Sequence, residues 1–277
     1  MSATLGVTLR LLRLEAGLSL RELARRVGVS STYLSRIENG LDTAPTSQRL
    51  EAMAHELRVP PAVLIELAQR VSPLLVDYVA SEPDAGSLFL EIAHRQLDRH
   101  QLAEVRRFLD ERFPSTRKAA PAVHRLSDLL ARDRIVVGLR CEELDDVLDV
   151  AVGRLATDPH VDVRAVTTAL SRREAELSSA IGHGIAVPCA YVEGAAPAAA
   201  LVTLARPLRR ASPDGQPVRL VIVLWGPPRA GARMPGLVGI ARLSARGLAD
   251  ELGHLDSPAR VLARVAELEG YAPKASS

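Results

Sequence analysis

Apolar side chains recur at three- and four-residue intervals through the first 67 positions, the period of helices buried on one side. Leu5, Leu9 and Leu12 predict an amphipathic helix over residues 4–15, ended by Ala16 and Gly17. Leu23, Ala24 and Val27 predict a second helix, with Ser19 as its N-cap and Glu22 three residues on to complete a capping box. Gly28 breaks that pattern where the chain must turn, because glycine reaches positive φ without a Cβ clash. Ser30 offers the next cap, and Leu34 and Ile37 form the buried pair of a third helix. Residues 39–45 read as a loop. Thr46 or Ser47 opens a fourth helix that buries Leu50, Met53, Ala54 and Leu57. Pro60 and Pro61 stand where a fifth begins, carrying Val63, Leu64 and Leu67.

Beyond position 72 the pattern loosens. Residues 81–87 read as a loop, and residues 88–100 and 101–113 as two helices with Ile92, Leu97, Leu102, Val105 and Leu109 as apolar positions. Residues 114–121 are polar and contain Pro and Ala, as a linker does. From residue 126 the period alternates. A short strand is expected at 134–137, helices at 142–155 and 161–172, and strand-like runs at 185–188, 198–204 and 218–224. The last two runs are nearly continuous in Val, Leu, Ile and Ala, which a sheet covered on both faces requires. Helices return at 236–248 and 258–268, so the second half reads as α/β. The expected division is 1–72 as a helical domain, 73–121 as a helical linker or dimerisation arm, and 122–277 as the α/β domain.

The third helix carries the first candidate chemistry. Between its buried positions, Ser31, Thr32, Tyr33, Ser35 and Arg36 are left facing outward. A face of hydroxyls plus an arginine suits the major groove of DNA. The spacing of Leu23, Ala24, Val27, Gly28, Val29, Leu34 and Ile37, followed by Arg36-Ile37-Glu38-Asn39-Gly40, resembles the helix-turn-helix of the Cro/phage-repressor (XRE-type) family over roughly residues 5–71. That resemblance implies an all-α five-helix domain that binds double-stranded DNA, acting as a homodimer on an inverted repeat. Arg21 and Asn39 are candidates for phosphate contact. Many members carry Gln where this chain has Leu20.

A second motif runs from Arg173-Glu174 through Ser178 and Gly182-His183-Gly184-Ile185-Ala186-Val187-Pro188-Cys189. It resembles the phosphorylation-site region of enzyme IIA domains of the phosphotransferase system, of the fructose/mannitol and nitrogen-related type, and the resemblance covers roughly residues 126–268. It implies a mixed sheet flanked by helices. The departure is chemical: the family's phosphoacceptor histidine falls on Cys189. The helix Ile240-Ala241-Arg242-Leu243 is preceded by Met234, Pro235 and Gly236 rather than by the second histidine. Phosphoryl transfer through nitrogen needs an imidazole. The expected role is therefore a degenerate sensory or assembly module, marked by Arg173, Ser178, His183 and Cys189. Cys189 is read as a small side chain closing the site, and phosphorylation or oxidation of its thiol is a rival reading. In that reading, Arg173 and His183 supply positive charge nearby. Cys141 precedes a helix and is read as an ordinary boundary residue, with an influence of the helix N-terminus as the rival reading.

Composition narrows the field further. Hydrophobic content is 47% and aromatic content 3%, so the cores are aliphatic. Net charge is +2; residues 1–72 hold nine arginines against seven acidic side chains, which puts the small excess on the candidate DNA-binding part. Two cysteines make no disulfide framework, and His160, His183 and His254 show no metal-ligand spacing. Gly182-His183-Gly184 and residues 226–231 lack the features of a phosphate loop. No signal peptide or membrane span is expected. The reading is a cytoplasmic, non-enzymatic, DNA-binding regulator without cofactor or metal, whose second domain takes a small anion or a protein partner. A phosphotransferase-linked regulator and an antitoxin-like interaction protein are the alternatives.

Overall fold

The computed structural model describes residues 3–68, 78–113, 125–156, 161–227 and 234–269. The first domain is α1 (Ala3–Glu15), α2 (Leu20–Val27), α3 (Ser31–Glu38), α4 (Ser47–Glu56) and α5 (Pro61–Leu67). Thr46 caps α4 through Arg49 N at 3.4 Å, and Leu50, Met53, Ala54, Leu57, Leu64 and Leu67 are buried as their spacing requires. The helix α1 departs from expectation. Every residue from 5 to 14 is buried, not one stripe. A helix covered on all sides needs a partner on each face. The α2–α5 bundle supplies one, and a helix of the second domain supplies the other.

Two helices follow, α6 (Pro83–His94) and α7 (Arg99–Arg112). Residues 83–87 are helical rather than loop, because Pro83 occupies a first-turn position where its missing N–H is not needed. The break between the pair falls at 95–98 instead of after His100. Asp98 and Gln101 there form a reciprocal capping box, each side chain accepting the other's backbone N–H at 2.9 Å. The linker expected at 114–121 lies outside the described residues.

The second domain opens with α8 (Leu126–Leu129) and a single 3₁₀ turn, then β1 (Ile135–Leu139), α9 (Leu144–Leu155), α10 (Val163–Glu176), β2 (Ala180–Gly182), β3 (Ile185–Ala186), β4 (Cys189–Tyr191), β5 (Ala198–Leu208) and β6 (Val218–Gly226). It ends with α11 (Met234–Ser244), α12 (Leu248–Leu252) and α13 (Pro258–Leu268). The helix expected at 236–248 is thus two, divided at Gly247, whose φ of 81° leaves the helical region. The sheet is mixed, in the order β1-β5-β6-β3-β2 with β4 also on β6. β5 and β6 are antiparallel, as are β2 and β3, while β1 lies parallel to β5, and β3 and β4 lie parallel to β6.

Alternate residues of β5 and β6 serve opposite faces. Val202, Val221 and Val223 pack under α9 and α10. Leu201, Ile222 and Leu224 face a core that includes α11, α13 and the leucines of α1. That second core is continuous from the first domain into the sheet. Burial of each such side chain contributes about 1.5–3 kcal/mol.

Candidate nucleic-acid interface and the cysteine site

The turn between α2 and α3 is set by local chemistry. Ser19 Oγ accepts from Glu22 N at 3.1 Å, and Ser30 Oγ accepts from Tyr33 N at 3.1 Å. Gly28 has φ 70° and ψ 35°, the left-handed conformation that ends α2. The capping box is only half formed, because Glu22 turns its carboxylate to Arg25 and Arg26 at 2.8 Å. Hydrogen bonding by Arg25, then Arg26, lowers the Glu22 pKa to about 2.

A buried ion cluster fixes α3 to α1. Glu38, 2% exposed, accepts from Arg13 Nε at 2.6 Å and Nη2 at 2.8 Å, and from Arg10 Nε at 3.2 Å. Burial lowers the Arg10 pKa, opposed by the Glu38 charge. Gly6 makes the close crossing possible: a Cβ there would stand 2.6 Å from the carbonyl oxygens of both Ile37 and Glu38. Sequence reasoning passed over Glu38, Arg10, Arg13 and Gly6 as site residues. Two arginines inside a run of leucines were the available signal.

Thr32 and Arg36 are exposed on α3, while Ser31 and Ser35 are half-buried. Tyr33 does not face freely outward. Its ring is half-buried against the core, with the Arg49 guanidinium 5.1 Å from its centre. Arg36 is paired with Asp42, Nε to Oδ2 at 3.0 Å and Nη2 to Oδ1 at 3.1 Å. This hydrogen bonding raises the Arg36 pKa and lowers that of Asp42. Asn39 Oδ1 accepts from Arg10 Nη2 at 3.0 Å, and its Nδ2 donates to Ser35 Oγ at 3.4 Å. Arg21 is exposed on the first turn of α2, beside Leu20, which packs half-buried against the core.

In the second domain, β4 carries Cys189 inward. The thiol is buried and points to Val187 O at 3.7 Å. It lines a cavity of about 20 Å³ together with Leu14, Arg173, Ser179 and Val187, space for a single water. Ser179 Oγ is buried there without a hydrogen-bond partner. Arg173 lies over the Tyr191 ring at 5.1 Å and donates to the backbone oxygens of Leu14 and, at 3.1 Å, Glu15. Burial opposes the Arg173 charge, but Tyr191 and Cys189 outweigh it and raise its pKa. Tyr191 Oη donates to the Glu15 oxygen at 2.8 Å. The end of α1 therefore sits where the cysteine site meets solvent.

Arg173 and Cys189 line the same cavity, while His183 is not among the residues lining it. His183 is exposed at φ 55°, its N–H donates to Asp214 Oδ2 at 2.7 Å, and it lines a separate cleft with Arg10 and Asn39. Ser178 Oγ donates to Ala211 O at 3.1 Å. Burial, then Asp146, pushes the Cys141 thiol pKa up. The helix α9 begins at Leu144, beyond Cys141. Among the described residues no group of three metal-ligating side chains occurs, and no helix is long and apolar enough to cross a membrane.

Fold and site define a two-domain protein, a helix-turn-helix domain joined to an enzyme IIA-like α/β domain. Residues 9–64 match a helix-turn-helix family profile. Residues 128–245 match the profile described as phosphoenolpyruvate-dependent sugar phosphotransferase system, EIIA 2, and the chain belongs to that family through them. It is 33% identical over 120 residues to a nitrogen regulatory protein of Bradyrhizobium diazoefficiens, spanning 43% of this chain and 78% of that one. It is 40% identical over 62 residues to the HTH-type transcriptional regulator SinR of Bacillus subtilis, spanning 22% of this chain and 56% of SinR. The crystal structure of nitrogen regulatory protein IIA-Ntr from Neisseria meningitidis aligns with 24% identity and a TM-score of 0.46, over 50% of this chain and 98% of that one.

Proposed function

We propose that the protein is a sequence-specific DNA-binding transcriptional regulator whose second domain senses or assembles rather than transfers phosphoryl groups. The observation that carries the DNA-binding part is the intact turn from α2 to α3, capped at Ser19 and Ser30 and bent at Gly28, with Thr32 and Arg36 exposed. In this reading Ser31, Thr32, Ser35 and Arg36 face the major groove, and Arg21 and Asn39 hold phosphates. Arg36 exchanges Asp42 for a base edge or a phosphate, since either acceptor satisfies the same guanidinium fork. Genome-wide capture of DNA by the purified chain tests this. Enrichment of one inverted repeat is expected, and a uniform background contradicts it.

The DNA-bound form is a homodimer, with half-sites about one helical turn, or a small multiple, apart. The arm spanning residues 73–121 is its proposed contact. Its helices leave Leu88, Phe89, Leu90, Phe108, Leu109 and Phe113 exposed, more apolar surface than an isolated helix pair tolerates in water. Sedimentation of the full chain should give a dimer, and Phe108→Ser with Phe113→Ser should shift it to monomer. An unchanged dimer would move the contact elsewhere.

A phosphocarrier role on Cys189 is disfavoured by geometry. The thiol is 8% exposed and lies behind Leu14, so no phosphoryl donor reaches it in this arrangement. Incubation with a phosphorylated carrier protein should leave the intact mass unchanged.

A further inference from the structure

Arg173 and Tyr191 form a polar clamp whose occupant belongs to the other domain. Both donate to the carbonyl oxygens that end α1, where the helix dipole is negative. Leu14 covers the small cavity that holds Cys189 and the unpaired Ser179 hydroxyl. The clamp thus closes the end of α1 over that small cavity.

The same seam reaches the DNA-reading helix. A cleft of about 350 Å³ is lined by Leu20, Ser35 and Asn39 from the first domain and by Ser178, Ala211 and Pro213 from the second. That is the size of a small-ligand site. A duplex whose major groove, about 12 Å wide, receives α3 needs its phosphate walls on both sides of that helix. The 211–213 segment lines the same cleft as Ser35 and Asn39, on one flank of that helix. Arg10 ties the seam together, giving Nη1 to Ile181 O at 3.2 Å while its other atoms hold Glu38 and Asn39.

We propose that the Arg173–Tyr191 clamp on the carboxyl end of α1 is an autoinhibitory latch, which holds the 211–213 segment across one flank of α3 and must open before duplex DNA seats there. The latch rests on the DNA-binding reading above. The apolar contact between α1 and α11 persists when the clamp is removed, so the clamp sets the balance between closed and open forms rather than creating the closed one.

The test compares full-length parent, Arg173→Ala and Tyr191→Phe on the captured operator at one salt concentration, with thermal melts to confirm folding. Tyr191→Phe removes one hydroxyl and keeps the ring, so its fold should be secure. Both variants are expected to bind operator about fivefold or more tighter, the lower range of usual coupling between sites. In the parent, operator should raise amide hydrogen exchange in residues 12–16 and 187–191. Folded variants with parental affinity, together with unchanged exchange on DNA binding, overturn the latch alone. If neither parent nor variants bind any captured DNA, the DNA-binding reading falls and the latch with it.

Discussion

Glu38 lies in the interior with two guanidinium groups around it and almost no exposure to water. Both arginines hydrogen-bond to its carboxylate, the arrangement a buried ion pair requires. Glu38→Ala leaves Arg10 and Arg13 buried without their counter-ion and should destabilise the protein by roughly 3–5 kcal/mol. Urea unfolding measures this, and a loss under about 1 kcal/mol would contradict the cluster's structural role. Glu22 is the exposed counterpart. Its pKa is depressed to about 2, so whatever its pairs with Arg25 and Arg26 contribute is present above the ordinary carboxylate range and is lost as pH falls from about 4.5 toward 2. Carboxyl titration by NMR should place its midpoint well below that of other surface glutamates, and Arg25→Ala with Arg26→Ala should return it upward. At this scale the sequence was readable wherever the partner is local. Ser19, Ser30 and Gly28 act within three or four residues of themselves. Glu38 was hidden because its partners lie 25 and 28 positions away.

Among the elements, α1 teaches most. The reading assigned it one buried stripe from Leu5, Leu9 and Leu12, yet Val7, Leu11 and Leu14 lie on its other side and are equally buried. Periodicity reports that a residue is apolar, not which partner covers it, so contact with α11 was beyond its reach. Gly6 reflects the same crowding on the α3 side. Gly6→Ala should lower stability by about 1–3 kcal/mol through the clash with two backbone carbonyls, despite alanine's better helix propensity. A raised melting temperature in that variant would show that the crossing has room. Short strands escaped the reading as well. β2 and β4 have three residues each, too few to show an alternation, and they are held by neighbours rather than by propensity, whereas β3 lies within the run expected at 185–188.

At the scale of the whole molecule, one aliphatic core passes from α4 and α5 through α1 into the sheet. Elements that share a core unfold together. The full chain is expected to melt in a single calorimetric transition. Two separated transitions, one per domain, would mean that the shared core does not couple them. The mixed sheet and its helical layers were legible from the alternation of apolar runs. The site was legible as a motif, Arg173 through Cys189, but its present use was not. The clamp depends on Tyr191 and on backbone oxygens of α1, and an oxygen that every residue possesses leaves no mark in a sequence. The central claim remains that α3 reads DNA. The most direct measurement is the affinity of parent and Arg36→Ala for the captured operator and for a scrambled duplex at fixed salt. The parent should discriminate between the two, and the variant should lose roughly 1–3 kcal/mol on the operator alone. Equal affinity of parent and variant on both duplexes would contradict that claim.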